Sequence, residues 1–113
     1  MDNPYEVYLM YSSGVDAYKI GVSKNSEKRV RQLQTGCPYH IEIKSVFKTN
    51  RPFKVETALH NRYQQYKRNY DGDPISGEWF QLPISEVSGF LASCLEIEER
   101  LKFLVESGNP FIL

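Results

Sequence analysis

The stretch that most restricts the fold runs over residues 5–22, YEVYLMYSSGVDAYKIGV. Its two ends are rich in β-branched and aromatic residues and hold no proline, as strands do. Between them SSGVD (residues 12–16) gathers small and turn-forming residues, the composition of a hairpin loop. A hairpin of strands 5–11 and 17–22 follows. Side chains alternate across a strand, so Val7, Leu9 and Tyr11 share a face, as do Tyr18, Ile20 and Val22. Both sets are large and mostly apolar and should line the core. The opposite face carries Glu6, Tyr8 and Met10 with Ala17, Lys19 and Gly21. Tyr8 and Lys19 should therefore project together, away from the main core.

The remaining chain extends this hairpin into a mixed domain. NSEKRVRQLQTG (residues 25–36) has helix limits written into it. Asn25 or Ser26 caps the start, Glu27 suits the positive end, and Gly36 stops it. Val30 and Leu33 mark the buried stripe, Arg29 lies at its edge, and Lys28 and Arg31 point outward. Residues 40–49 read as a third strand, with Ile41, Ile43 and Phe47 on one side. Residues 52–68 read as a helix with proline in its first turn. Its central stripe is Val55, Leu59, Arg62 and Tyr66; Glu56, His60, Tyr63 and Lys67 run up one flank. Residues 69–77 are loop-like and 78–82, EWFQL, a short extended segment. From residue 83 to about 107 the chain is mainly helical, broken near Gly89, with Val87, Leu91, Cys94, Leu95, Leu101 and Leu104 as its apolar face. The expected fold is one α/β (α+β) domain over residues 1–113, with a small antiparallel or mixed sheet of about three strands flanked by helices. Residues 5–82 form its core and 83–113 a helical extension.

Composition narrows the function classes. The chain of 113 residues suits one hydrophobic core. No apolar run reaches the ~20 residues of a membrane-spanning helix, and the first residues lack the basic start and apolar segment of a signal peptide. Cys37 and Cys94 are isolated, so they suggest inert thiols in a reducing, cytoplasmic-type compartment. The formal net charge is zero, but the charges are segregated: residues 19–68 hold twelve Lys/Arg and three Asp/Glu, the remainder two and eleven. A basic middle of this kind attracts a polyanion even in a neutral protein. It is equally the composition of a solvated basic surface.

Five side chains carry candidate chemistry: Tyr8 and Lys19 on one strand face, Arg29 at a helix edge, and Glu56 with His60 on a helix flank. Together they can cut a phosphodiester. A carboxylate holds Mg²⁺ together with waters and substrate phosphate. An arginine fork matches charge developing on phosphate oxygens. A base takes the proton of the attacking water. Each residue alone has an ordinary reading: Glu56 and His60 as a solvated i, i+4 pair, Arg29 as surface, Tyr8 as a core or rim aromatic.

The segment VYLMYSSGVDAYKIGVSKNSEKRVRQLQT resembles the start of a GIY-YIG nuclease domain. Tyr8 matches the tyrosine of that family's first motif, Lys19-Ile20-Gly21 its second motif, Arg29 its helix arginine and Glu56, in VETALH, its metal-binding glutamate. The likeness is greatest to the phage and bacterial branch with a YKIG second motif, an E-xxx-H helix and a final EWF, here Glu56–His60 and Glu78-Trp79-Phe80. It covers about residues 5–82. Two positions depart from the pattern: Glu6 replaces the glycine of the first motif, and Lys19 the first tyrosine of the second. The resemblance implies an endonuclease dependent on Mg²⁺ or Mn²⁺ and acting on DNA. Tyr8 would be the base, Arg29 the phosphate ligand and Glu56 the metal ligand. Lys19 would lower the Tyr8 pKa, and His60 would orient Tyr8 or assist proton transfer. Lys24, Lys28, Arg31 and Lys67 are the candidate DNA contacts.

Two rival classes keep the same scaffold. One is a catalytically silent DNA-binding module, suggested by Glu6 and Lys19. The other is a regulatory or interaction subunit, a homodimer or a partner-binding protein, suggested by the acidic C-terminal helix and the apolar end NPFIL. Covering the far side of the sheet is the plainer role for that helix.

Overall fold

The computed structural model describes residues 4–68 and 79–108. Within them the chain runs β1 (Tyr5–Ser12), β2 (Ala17–Ser23), α1 (Ser26–Thr35), β3 (Ile41–Thr49) and α2 (Pro52–Arg62). A 3-10 turn (Gln64–Tyr66), β4 (Lys67–Arg68), β5 (Trp79–Phe80), α3 (Ile84–Ser88) and α4 (Phe90–Glu106) follow. The strands form one antiparallel sheet in the order β3-β1-β2-β5-β4. The α+β class is as expected, but the sheet has five strands rather than about three. Each of the two extra strands is only two residues long, too short to leave a periodic pattern in sequence.

The hairpin has the expected register, with Tyr8 opposite Gly21, Leu9 opposite Ile20 and Tyr11 opposite Tyr18. Both faces are covered. On one, Val7, Leu9 and Ile20 meet Val55, Leu59 and Tyr63 from the α2 segment and Phe90, Cys94 and Ile97 from α4, with Tyr18 and Val22 packed alongside. On the other, Tyr8, Met10, Ala17, Ile41 and Trp79 form a second cluster against Val30 and Leu33 of α1. Each fully buried aliphatic side chain contributes about 1.5–3 kcal/mol, so the second cluster is a true core and not a solvated face.

Three expectations are corrected. Ile41, Ile43 and Phe47 do not share a side. Met10 faces Ile43 while Leu9 faces Ser45, so Lys44 is an extra residue and the bulge reverses the alternation. Ile41 and Ile43 join the Tyr8 cluster and Phe47 the Val7 cluster. The helix expected over residues 52–68 stops at Arg62. Tyr63 is buried rather than on the flank, and Lys67 lies in β4, opposite Phe80. Finally, α4 buries Phe90, Cys94 and Ile97, spaced four and three apart as one helix face. Leu91 and Leu95, expected in the core, are half exposed. Gly89 does break the C-terminal helix, closing α3 and opening α4.

The expected loop over residues 69–77, the acid Glu78 of the EWF segment and the end NPFIL lie outside the described residues. No helix among the described residues is long and apolar enough to cross a membrane.

Candidate functional site

The site forms at the edge of β2 away from β1. Strand β5 pairs with β2 only at Tyr18↔Phe80, and α2 packs against β2. His60 reaches this edge: its Nε2–H donates to the Ile20 carbonyl oxygen at 3.1 Å. A carbonyl can only accept, so Nε2 is the donor in this contact. The imidazole also stands edge-on to Phe80, with centroids 5.1 Å apart. The Nε2 of His60 is thus engaged with the backbone of β2.

Gly21 opens the route from the other side. The ring of Tyr8 crosses β2 at this residue, and a Cβ there would overlap the Tyr8 hydroxyl and Cζ. A glycine is required because the phenol occupies the place of a side chain. Tyr8 is 3 % exposed. Burial raises its pKa above the ordinary 10.0; the Arg29 guanidinium, which donates a hydrogen bond to the phenol oxygen, opposes this, and the Glu56 carboxylate adds to it. Arg29 and Glu56 therefore both act on Tyr8, though the three come from α1, α2 and β1. Glu56 also lines a cleft of about 250 Å³ together with Thr57, His60, Asn61, Gln64 and Lys67.

The position of Arg29 is set by the start of α1. Asn25 Oδ1 accepts from the Lys28 N–H at 3.1 Å, and Glu6 Oε1 accepts from the Ser26 N–H at 2.7 Å. The first is a side-chain N-cap. The second adds a carboxylate at the positive end of the helix, donated by β1. Glu6 thus turns towards α1 and ties that helix to the strand carrying Tyr8.

Lys19 stands opposite Met10, and its ammonium lies over the Trp79 ring, 5.7 Å from the centroid. Arg29 is the side chain whose hydrogen bond favours the Tyr8 phenolate, and the net shift is upward. Among the expected DNA contacts, Lys24, Lys28, Arg31 and Lys67 are all exposed. Lys24 and Lys67 flank α2 at opposite ends, near Tyr5 and in the cleft respectively. Sequence reasoning missed Thr57, Asn61 and Gln64 as cleft residues. The signal was present, since they continue the Glu56–His60 flank at helical spacing. It also treated Glu6 only as a departure, because a cap supplied from a distant strand has no local signature.

A divalent cation is tested against the donor set. Among the described residues no three His, Cys, Asp or Glu side chains cluster as a metal cage. Glu56 on an open cleft suits Mg²⁺, which keeps most of its waters and needs only one or two protein carboxylates beside substrate phosphate.

A family model described as the T5orf172 domain matches residues 6–95. The match includes β1 from Glu6 onward, α1, α2, and Tyr8, Lys19, Arg29, Glu56 and His60. No curated protein and no solved structure matches the chain.

Proposed function

The chain belongs to the T5orf172 domain family, and from that premise we propose that it is a divalent-metal-dependent DNA endonuclease hydrolysing phosphodiester bonds beside α2. T5orf172 domains are found in GIY-YIG- and homing-endonuclease-like phage proteins, and a nuclease-like or DNA-binding role goes with the family. One observation carries the reading: a guanidinium and a carboxylate, from two different helices, both act on one buried phenol at the glycine notch of β2.

In this mechanism Arg29 forks onto the non-bridging phosphate oxygens and holds the phosphorus beside Tyr8. Tyr8 takes the proton of the attacking water at its hydroxyl oxygen after ionising. Ionisation is costly: an ordinary tyrosine is one part in ~10³ phenolate at pH 7, about 4 kcal/mol. Burial adds to that cost and Arg29 reduces it. Glu56 would hold Mg²⁺ or Mn²⁺, which would supply positive charge to the phosphate and the departing oxygen. His60 packs α2 onto β2 through Ile20 and so fixes the height of Glu56 one turn earlier on the helix. Lys24, Lys28, Arg31 and Lys67 contact the DNA backbone.

A second reading, a DNA-binding module without catalysis, is favoured by the raised Tyr8 pKa, which keeps the phenol neutral near pH 7. The experiment that separates them incubates supercoiled and branched DNA with the protein in Mg²⁺, Mn²⁺ or chelator, beside Glu56→Ala. The endonuclease nicks only with metal, and Glu56→Ala loses at least ~10²-fold in rate while still binding DNA. Salt-dependent binding without nicking establishes the module instead. Full cleavage by a folded Glu56→Ala protein overturns the assignment of Glu56.

A further inference from the structure

One aromatic cluster has no part in either core. Phe53, in the first turn of α2, is 62 % exposed. Its ring lies 5.9 Å from that of Tyr5, tilted by 55°, and the Lys24 ammonium stands 5.3 Å from the Tyr5 centroid. Arg51 and Lys54 flank Phe53 in the chain, and the first turn of α2 has no acidic residue. Exposing this much phenyl surface costs hydration free energy that burial elsewhere would recover. An exposed ring set against Tyr5, which itself carries the Lys24 ammonium, suits a ligand with a flat π-face and a phosphate: an unpaired nucleobase still attached to its backbone.

The cluster also has a fixed relation to the cleft. Phe53 and Glu56 are three residues apart on one helix, so they are neighbours on its surface, separated by about 4.5 Å along the axis. We infer that Phe53, with Tyr5 and Lys24, is a stacking platform for an unpaired base of the strand whose phosphate enters the Glu56 cleft. The inference rests on the nuclease reading for the nature of the polymer. It adds a preference for single-stranded, frayed or bulged DNA over perfect duplex. The stacked base supplies orientation, and Lys24 engages the adjoining phosphate.

The test measures binding of the full chain in chelator, so that no cleavage is needed. Three fluorescent probes are used: a single-stranded oligonucleotide, the same strand with consecutive abasic sites, and the blunt duplex. Stacking is worth roughly fivefold to 150-fold in affinity per base. Phe53→Ala should lose that much for the single strand, with the abasic strand and duplex unchanged within about twofold. Phe53→Tyr, which keeps the ring, should restore single-strand binding. Phe53→Ala that lowers all three affinities equally, or none, overturns the platform. Metal-dependent nicking by the wild type is assayed in parallel. Nicking that persists while Phe53→Ala has no selective effect removes the platform and leaves the nuclease reading standing. A wild-type protein that binds none of the three probes removes both.

Discussion

Replacing Gly21 by alanine would drive a methyl group into the Tyr8 hydroxyl and Cζ. The ring cannot swing outward, because Tyr8 is packed with Met10, Ala17, Ile41 and Trp79. Either the ring tilts or β2 shifts from β1. Overpacking of this kind costs about 1–3 kcal/mol. Against it stands the gain of about 0.4–1 kcal/mol from reduced freedom of the unfolded chain. The net expectation is a loss of roughly 1–2 kcal/mol, a fall in Tm of about 4–8 °C per kcal/mol in a domain of this size. Urea unfolding of Gly21→Ala, Tyr8→Ala and the double variant isolates the cause. In the double variant the new methyl enters space vacated by the ring, so Gly21→Ala should be neutral or slightly stabilising there. The coupling should equal the clash, about 1–3 kcal/mol. Nicking should fall by about 10²-fold in Gly21→Ala, since an ångström of displacement at the phenol is enough. An equal stability loss in both backgrounds would show that the methyl meets something other than Tyr8, and the account of the notch would be wrong.

Two further outcomes are expected. Glu6→Ala removes the carboxylate that accepts the Ser26 N–H and should cost about 0.5–2 kcal/mol by urea unfolding, with faster amide exchange confined to the first turn of α1. Glu6→Gln, which keeps an acceptor but not the charge, should cost about 0.3–1 kcal/mol. The pH dependence follows from Tyr8, whose folded pKa lies above 10.0. The phenolate fraction then rises about tenfold per pH unit below that value, so the nicking rate should climb without a plateau between pH 7 and 9. A plateau near neutrality would exclude Tyr8 as the ionising base. The same shift has a sign for stability: the neutral phenol favours the fold below pH 10, and this contribution is lost as pH rises through the raised value.

The hairpin and α1 were legible because their signals are local. Alternation placed Tyr8 and Gly21 on one face before any pairing was known, and Asn25, Glu27 and Gly36 bounded a helix that runs Ser26–Thr35. The faces of β3 were not legible. One extra residue, Lys44, reverses them, and nothing in HIEIKSVFKT marks a bulge. The end of α2 was missed for a tertiary reason: Tyr63 turns inward among Val55, Leu59 and Phe90, and pairing of Lys67 and Arg68 with β5 pulls the chain out of helix. In α4 the stripe was read one residue out of phase at Leu91 and Leu95, because apolar residues occur on both sides of it. At the site, periodicity put Glu56 and His60 on one flank of α2 and Arg29 at the edge of α1. That Glu56 and Arg29 both act on Tyr8 depends on helix packing across a sheet edge. The contact of Lys19 with Trp79 was not legible for the same reason, since Trp79 is distant in sequence and reaches β2 only through the two residues of β5.

The bond from Glu6 to the start of α1 has a geometric corollary. Glu6 and Tyr8 are two residues apart on β1, on the side that faces α1. A single rigid ruler of extended backbone therefore sets both the anchorage of the arginine helix and the depth of the phenol. Lengthening the connection between β1 and β2 would leave that spacing untouched, whereas inserting one residue between Glu6 and Tyr8 would turn one of them to the opposite face and undo the alignment with Arg29.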